Sequence, residues 1–355
     1  MGKAGTFFKD LTRKQMFIPL VALALLVLFN LINDPTFFRI YVQTNNSGDP
    51  VLAGYLVTIL NYGSELAILA IGMTLVTAAS GGQDISVGAT IAITGSAIIR
   101  FLCGTNTRCE ELLMPVAIAF ILGLIVAMIC GAFNGTLVAV FKIPPMVATL
   151  ILYTAGRSIA AWINNNELPV ITVPEFGYYG GCIPGCPIPT PIFITLIVVL
   201  VTFLILKFTN LGLYTQAVGI NEKSARLNGI NPTMMKILSF VLLGACVAVA
   251  ALIKISRLST INYSVIAKDI EMDAILAVAL GGNSLAGGKF NIWASILGAY
   301  IIQFLTTTLY KCEVSAAAIS AYKAIVVIIL VILSAPPVKA KLDKLGTKKA
   351  VVKEA

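Results

Sequence analysis

The stretch MPVAIAFILGLIVAMICGAFNGTLVAV, residues 114–140, decides the fold class of this chain. It contains no Asp, Glu, Lys or Arg, and a bilayer core needs about 20 predominantly apolar residues per helical crossing. The run is too long and too uniformly apolar for a barrel strand, in which polar and apolar residues alternate. Because a lipid-exposed backbone must satisfy its own hydrogen bonds, we predict a transmembrane helix here.

Comparable apolar runs recur along the whole chain. Of its 355 residues, 58% are hydrophobic and 12% are charged, whereas soluble domains average roughly 45–50% and about 25%. The predicted spans lie near 15–33, 52–79, 85–101, 114–140, 146–163, 190–208, 234–256, 270–286, 291–310 and 317–335. We therefore predict an all-α polytopic membrane bundle of about ten transmembrane helices, with no soluble catalytic domain. The first run is interpreted as a span because no small-residue cleavage site follows it.

The distribution of cations predicts the orientation. When the amino terminus is placed inside, most Lys and Arg residues fall on the cytoplasmic face, as the positive-inside rule expects. This topology gives a cytoplasmic segment 1–14, a transmembrane domain 15–335 and a basic cytoplasmic tail 336–355. The net charge of +9 does not indicate nucleic acid as a partner, because the basic residues lie in short flanks and a tail without stacking aromatics.

The chain contains no histidine. This excludes histidine-containing zinc sites, a Ser-His-Asp triad and imidazole proton relays, so we predict neither a metal site nor an enzyme. The cysteines form no C-x-x-C pair. In the predicted topology Cys103, Cys109, Cys182 and Cys186 lie outside, where an oxidising environment would permit the bridges Cys103–Cys109 and Cys182–Cys186. Free thiols are the alternative.

Two glycine-dense motifs interrupt the apolar stretches. The first motif contains Gly81, Gly82, Asp84 and Gly88. The second contains Gly281, Gly282, Gly287 and Gly288 and is preceded by Asp273. Paired glycines allow unusual backbone conformations and close helix approach, and broken helices in transporters tend to line the path or contact moving parts. A structural tight turn is the alternative.

The second motif is not a phosphate-binding P-loop. The pattern G-x-x-x-x-G-K-[ST] requires a glycine and a hydroxyl residue where this chain has Asn283 and Phe290. In the first motif, the Asp84 carboxylate precedes a helix start, so we expect it to cap exposed backbone amides.

Polar residues within the predicted spans are candidates for lining a substrate path. They are Asn61, Glu65, Asn134, Arg157 and Gln303. Ionisable groups in spans are costly and usually face the protein interior. Asn61 lies one turn before Glu65, so both side chains can project into one cavity, and Arg157 could pair with such a carboxylate. Buried structural hydrogen bonds are the alternative for each residue.

A polar segment at about 209–233 is predicted to lie outside the bilayer as a short helix. Asn221 can serve as its N-cap, Gly229 as its C-terminal stop and Pro232 as the end of any continuation. Such a helix suits the groove of a partner, although an ordinary solvated loop is the alternative. Its candidate contact residues are Asn221, Glu222, Lys223, Arg226 and Gly229.

Four ordered motifs resemble the permease family of ATP-binding-cassette importers for ribose, xylose and galactofuranose. They are Ala70–Val76 leading into Gly81–Gly88, Phe141–Leu150, Gly219–Gly229, and Met272–Ile275 leading into Gly281–Gly288. The resemblance covers nearly the whole chain, and the stretches Ile143–Arg157 and Lys289–Asn291 are most similar to the galactofuranose-type subunit. The chain departs from the family pattern at Gln83, where an aliphatic residue is usual.

The resemblance implies a subunit of the bacterial cytoplasmic membrane that carries no cofactor of its own. ATP and Mg would be bound by a partner ATPase, which docks on Asn221–Gly229. A second permease subunit and an extracytoplasmic solute-binding protein are the other implied partners, besides membrane lipid. The implied mechanism is alternating access driven by ATP binding and hydrolysis in the partner.

Two other classes of function remain as alternatives. One is a permease of the same superfamily for nucleosides or branched-chain amino acids. The other is an ion-coupled secondary transporter, which would need intramembrane carboxylates arranged for coupling.

Overall fold

The computed structural model describes residues 16–44 and 48–334, and the predicted segment 1–14 and tail 336–355 lie outside the described residues. The helices are α1 (Phe17–Asn33), α2 (Tyr55–Ser80), α3 (Val87–Cys103), α4 (Val116–Ala139), α5 (Pro145–Ile163), α6 (Thr190–Phe208), α7 (Leu211–Ile220), α8 (Glu222–Leu227), α9 (Pro232–Leu258), α10 (Ile270–Leu280), α11 (Ile292–Lys311) and α12 (Ala316–Ser334).

Short strands and 3₁₀ turns occur only between these helices in the described part of the chain. β1 (Tyr41–Thr44) and β2 (Pro50–Ala53) form an antiparallel hairpin with Tyr41 opposite Ala53. β3 (Arg108–Cys109) and β4 (Val170–Ile171) pair in parallel. The 3₁₀ turns are Pro35–Phe38 and Pro174–Tyr179.

The predicted all-α membrane fold is confirmed. Within the described residues, six helices are long and apolar enough to cross a membrane, namely α2, α4, α5, α6, α9 and α11. The apolar part of α1, Pro19–Asn33, and the whole of α3 are shorter. The number of about ten crossings and the cytoplasmic placement of both termini stay predictions.

The predicted span 270–286 is not one continuous helix. α10 has 11 residues and ends at Leu280, so it is about 16 Å long, whereas a bilayer core is about 30 Å thick. The preceding residues 259–269 form turns and a bridge rather than helix. Hydropathy did not reveal this break because the segment is apolar enough to resemble a span.

α2 is the centre of the bundle. Every residue from Gly63 to Ala79 is buried, because α9, α10 and α11 all pack against this helix. α9 also packs on α4, where Gly131 and Gly244 leave no space for a β-carbon between the two backbones. Small residues at such crossings allow the close packing typical of membrane helices.

The predicted polar segment 209–233 contains two helices, α7 and α8, rather than one. Asn221 is confirmed as the N-cap of α8, since its side chain accepts a 3.0 Å hydrogen bond from the Ser224 amide. Gly229 follows α8 with φ +80°. Pro232 is the first residue of α9, where its missing N–H costs no helical hydrogen bond.

Candidate functional site

A buried carboxylate on α2 is held by two cations on α9. Glu65 is 2% exposed. Its Oε2 accepts a 2.6 Å hydrogen bond from Lys254 Nζ, and its Oε1 accepts one of 2.5 Å from Arg257 Nη1. Lys254 and Arg257 are three residues apart and therefore lie on one face of α9. The ion pairs tie α2 to α9, and only loss of both cations would leave Glu65 as an unpaired buried charge.

Arg257 makes further contacts around this pair. Its Nη2 donates to Asn61 Oδ1 at 3.0 Å, and the guanidinium lies 4.2 Å from the ring centroid of Tyr62, in cation–π geometry. Its Nε donates to the carbonyl oxygen of Gly180 at 3.3 Å. The planar guanidinium thus connects α2 to the loop between α5 and α6.

A polar cavity of about 290 Å³, here called the inner cavity, opens beside Glu65. It is lined by Tyr62, Glu65, Leu66, Lys254, Val265, Ala267, Lys268, Ile270, Asp273 and Gln303. The structure thus brings together two of the predicted path residues, Glu65 and Gln303. Asp273 lies here as well, and its two oxygens accept hydrogen bonds of 2.8 and 2.7 Å from Lys323 Nζ. This set of donors and acceptors suits a ligand rich in hydroxyl groups.

A larger cavity of about 780 Å³, here called the outer cavity, lies at the end of the bundle where α2 begins. It is lined by Thr36, Arg39, Tyr41, Gln43, Val51, Leu52, Ala53, Gly54, Tyr55, Val57, Thr58, Asn61, Cys182 and Pro189. The β1–β2 hairpin and the loop between α5 and α6 form its walls. The predicted path residue Asn61 therefore lies in the outer cavity, although Glu65, one turn further along α2, lies in the inner one.

Arg157 does not pair with a carboxylate in the way that the sequence suggested. Its Nη1 donates to the carbonyl oxygens of Tyr263 and Ile266, at 2.8 and 3.0 Å. These carbonyls belong to residues 259–269, where no helix satisfies the backbone. Unsatisfied carbonyls are costly in a membrane-embedded bundle, so Arg157 stabilises the break before α10.

Asn134 lies outside both cavities. Its Nδ2 donates to Asp84 Oδ2 at 3.2 Å and to Ser86 Oγ at 2.9 Å. Asp84 Oδ1 accepts from the Ser86 amide at 2.7 Å. Ser86 is the residue before α3, and no side chain caps the helix itself, so the expected capping of α3 by Asp84 is wrong and the bond forms a local turn instead. Asn134 therefore holds the first glycine motif through buried hydrogen bonds, and its role in the substrate path stays a prediction.

The two glycine motifs contact each other at the end of the bundle away from the outer cavity. The Gly288 amide donates to the carbonyl oxygen of Ala78 at 3.0 Å, and Gln83 Nε2 donates to that of Leu285 at 3.0 Å. Gly81 has φ +68° and Gly287 has φ +91°, in a region that side chains with a β-carbon rarely adopt. Gln83, the residue that departs from the family pattern, thus links the two motifs.

Gly219 of α7 packs onto the same place. A β-carbon at Gly219 would overlap the Ala78 carbonyl oxygen and lie 2.7 Å from the Gly288 amide nitrogen. The residues Gly81, Gly219, Gly287 and Gly288 are here called the glycine junction. It connects the polar segment 209–233 directly to the end of α2 and to the turn between α10 and α11.

The other glycines of the two motifs have separate neighbours. Gly82 faces the ring of Pro145 at the start of α5, and Gly88 faces Glu271 and the Ala267 carbonyl. Gly281 ends α10 and faces Ala294 of α11, and Gly282 follows with φ +75°.

Within the polar segment, Glu222 faces the chain itself. Its carboxylate accepts hydrogen bonds of 2.6 Å from Lys236 and 3.0 Å from Lys142, and Arg226 Nη2 lies 3.8 Å away. These hydrogen bonds lower the pKa of Glu222 to about 2. Lys223 and Arg226 are exposed, and Leu227 is 89% exposed. α8 is therefore anchored through Glu222 and presents Leu227 to its surroundings.

All seven cysteines are free thiols in the structure. Cys103 and Cys109 are buried, and the Cys109 thiol donates to the Glu111 carbonyl at 3.2 Å. Burial raises the pKa of the Cys182 thiol, and the neighbouring Cys186 raises it further. The two disulfide bridges stay predictions.

Sequence reasoning missed the roles of Lys254 and Arg257, which were not among the predicted path residues. Their spacing of three residues near the end of a predicted span was the available signal. A pair of cations on one helix face, with an unexplained carboxylate in another span, indicates an interhelical ion pair.

The family is identified by comparison with known proteins. The family model described as "Branched-chain amino acid transport system / permease component" matches residues 55–335. The chain belongs to this permease family. No solved structure matches it.

Three named relatives of this permease cover most of its length. It is 37% identical over 290 residues to the galactofuranose transporter permease protein of Escherichia coli K12, covering 81% of this chain and 80% of that protein. It is 32% identical over 358 residues to the fructose import permease protein of Bifidobacterium longum, covering 99% and 97%. It is 36% identical over 319 residues to the ribose import permease protein of Escherichia coli K12, covering 87% and 91%.

The resemblance inferred from the four motifs is thereby confirmed. The membrane-length helices and the family membership together identify a multi-pass permease of the bacterial inner membrane.

Proposed function

We propose that this permease is the membrane-spanning subunit of an ATP-binding-cassette importer for a simple sugar. The observation that carries the proposal is the similarity to relatives named for galactofuranose, fructose and ribose. The similarity extends over at least four fifths of the length of each of these relatives. The inner cavity supports it, because carboxylate, ammonium and amide groups surround a volume of about 290 Å³. That volume is near the lower end of ligand pockets, roughly 300–1,000 Å³, and suits a small ligand.

A second permease subunit covers the face on which the inner cavity opens. Residues 259–269 run along α3, since Ile261 contacts Gly95 and Ala267 contacts Gly88, two helical turns or about 10 Å apart. Lys268 and Asp269 therefore lie alongside α3 rather than beyond its ends, yet both residues are exposed. Charged groups at membrane depth face protein or water rather than lipid. The translocation path then lies between the two subunits, next to the inner cavity.

The partner ATPase, which binds the ATP and Mg that drive transport, docks on α8. The exposed Leu227 at the tip and the exposed Arg226 form the contact surface, while Glu222 holds α8 against Lys236 and Lys142. Asn221, Lys223 and Gly229 shape this segment through the N-cap, a polar flank and the left-handed stop. Motion of the ATPase reaches α2 and α10 through the glycine junction.

An extracytoplasmic binding protein delivers the sugar to the outer cavity. The permease itself catalyses no reaction and is a transport subunit. Asn61, Glu65 and Gln303 belong to the path, whereas Asn134 and Arg157 stabilise its walls.

The cargo is tested with the binding protein that co-purifies with the permease. Thermal-shift measurements with D-ribose, D-fructose, D-galactose and L-leucine compare the sugar class with the amino acid class named in the family description. We expect one or more sugars to stabilise the binding protein and leucine to have no effect. Stabilisation by leucine alone would contradict the sugar assignment, and uptake that persists without any ATPase would contradict the importer class.

The ATPase contact is tested with a pair of matched leucine substitutions. Leu227→Asp changes the exposed tip of α8, and Leu258→Asp changes a leucine that is 53% exposed at the opposite end of the bundle. We expect Leu227→Asp to abolish co-purification of the ATPase and Leu258→Asp to leave it intact. Equal ATPase recovery with both variants would place the contact elsewhere.

A further inference from the structure

The two cavities lie in line along one face of α2. Thr58 and Asn61 line the outer cavity, and Tyr62 and Glu65 line the inner one. Residues three or four apart share a helix face, so Thr58, Asn61 and Glu65 form a continuous polar stripe from one cavity to the other. A solute that passes from the outer to the inner cavity follows this stripe.

The Arg257 side chain lies at the boundary between the cavities. Its guanidinium binds Asn61 on the outer side, at 3.0 Å, and Glu65 on the inner side, at 2.5 Å. It also covers the Tyr62 ring and binds the Gly180 carbonyl of the loop that walls the outer cavity. Arg257 lines neither cavity itself, although the residues it binds line both.

We propose that Arg257 is the gate between the outer and inner cavities, closed in this structure by its hydrogen bonds to Asn61 and Glu65. The proposal rests on the translocation role proposed above. A sugar entering from the outer cavity replaces the guanidinium on Asn61 and Glu65 with its own hydroxyl groups.

The chemistry of the two cations on Glu65 explains why Arg257, and not Lys254, closes the boundary. A guanidinium has five N–H donors in a fixed planar fork and can hold Asn61, Glu65 and Gly180 together. Lys254 contacts Glu65 from the inner cavity through a single ammonium group and has a side chain that is 26% exposed. When Arg257 swings away, Lys254 still neutralises the Glu65 carboxylate, so opening leaves no unpaired buried charge.

The gate is tested by the accessibility of a cysteine placed in the inner cavity, which requires neither a known cargo nor the ATPase. Gln303→Cys places a thiol there, and the native Cys182, after a mild reductant has opened any bridge to Cys186, reports on the outer cavity. Intact cells that express the full chain are treated with a membrane-impermeant methanethiosulfonate, and modification of each cysteine is followed by mass spectrometry. The readout is the labelling rate at position 303 relative to that at Cys182.

We compare Gln303→Cys alone with the same change combined with Arg257→Ala or Lys254→Gln. Arg257→Ala is expected to accelerate labelling at position 303 by about tenfold, the order of effect that loss of one hydrogen bond to a charged group has on an opening equilibrium. Lys254→Gln removes the cation that still neutralises Glu65 when Arg257 swings away, so it makes opening costlier and is expected to slow labelling. Asn61→Ala, which removes only the outer contact of Arg257, is expected to give a smaller acceleration.

Three results would overturn the gate. One is rapid labelling at position 303 with Arg257 in place, and another is equal acceleration by Lys254→Gln, which would indicate a general loosening of the ion pairs. The third is failure of external reagent to reach Cys182, which would place the outer cavity on the other side. None of them depends on which solute is carried, so failure of the gate is distinct from failure of the proposed function.

Discussion

The backbone amide of Gly288 donates a 3.0 Å hydrogen bond to the carbonyl oxygen of Ala78. Ala78 lies in the last turn of α2, where the final four carbonyls have no partner within the helix. The second glycine motif thus supplies a hydrogen-bond donor to the C-terminal end of α2, the helix that precedes the first glycine motif. Because Gly219 packs against the same two groups, the polar segment 209–233 cannot move without affecting this bond.

Gly219→Ala is expected to destabilise the protein by about 1–3 kcal/mol, the usual cost of overpacking a close contact. The added β-carbon would overlap the Ala78 carbonyl, which is backbone and cannot rotate away. The melting temperature of the purified protein in detergent is the measurement. Gly212→Ala is the control on the same helix, since its β-carbon would meet only side-chain ends, of Leu206 at 3.2 Å and of Phe290 at 3.9 Å. Equal melting temperatures for the two variants would refute the close packing.

Glu222→Gln is expected to lower stability by about 1 kcal/mol at neutral pH, because a half-exposed carboxylate in an ion-pair network contributes on this scale. The pKa of Glu222 in the folded protein is about 2, below its ordinary value of 4.5. Its contribution is therefore present above the unfolded pKa and lost as the pH falls from about 4.5 towards 2.

The difference in melting temperature between wild type and Glu222→Gln should accordingly be constant near neutrality and shrink in acid. Glu110→Gln is the matched control, since Glu110 and its partner Arg108 are both 76% exposed and 3.7 Å apart. A Glu222→Gln difference that grew on acidification would have the wrong sign for a lowered pKa.

Arg157→Met is expected to destabilise the protein by about 3 kcal/mol, because two carbonyls lose a charged donor worth about 1–3 kcal/mol each. The loss of stability should first affect residues 259–269, where amide hydrogen exchange should become faster. Arg108→Met, at a position that is 76% exposed, should change neither quantity. Unaltered exchange in the Arg157 variant would mean that the segment before α10 is held by other contacts.

Asn134→Ala is expected to cost about 1–3 kcal/mol, since it leaves the buried Asp84 and Ser86 without a shared donor. Thr136→Ala, on the same helix, removes a hydroxyl that bonds only to the Ala132 carbonyl of its own turn, and such changes usually stay within about 0.5 kcal/mol. The measurement is the melting temperature of each variant, and we expect a larger decrease for Asn134→Ala than for Thr136→Ala. If Asn134 lined the path instead, its variant would keep its stability and lose transport.

The candidate site was predictable only where the signal is local. The N-cap at Asn221 follows from neighbouring residues and lies where the sequence placed it, whereas Asp84 binds the amide of Ser86 and not an amide of α3. Asn134 and Arg157 were grouped with the path because polarity within a span does not reveal the partner. Lys254 and Arg257 were missed because their partner, Glu65, is on another helix.

The sequence by itself determined that this chain is a helical membrane permease, since apolar length, the scarcity of charge and ordered family motifs are properties of the chain alone. Only the tertiary structure decided that the helix in the predicted span 270–286 ends at Leu280, that the two glycine motifs meet at α7, and that Arg257 binds residues of two cavities. Hydropathy measures the preference of each residue for lipid, whereas a hydrogen bond or an ion pair depends on which helix faces which. That information exists only once the helices have packed.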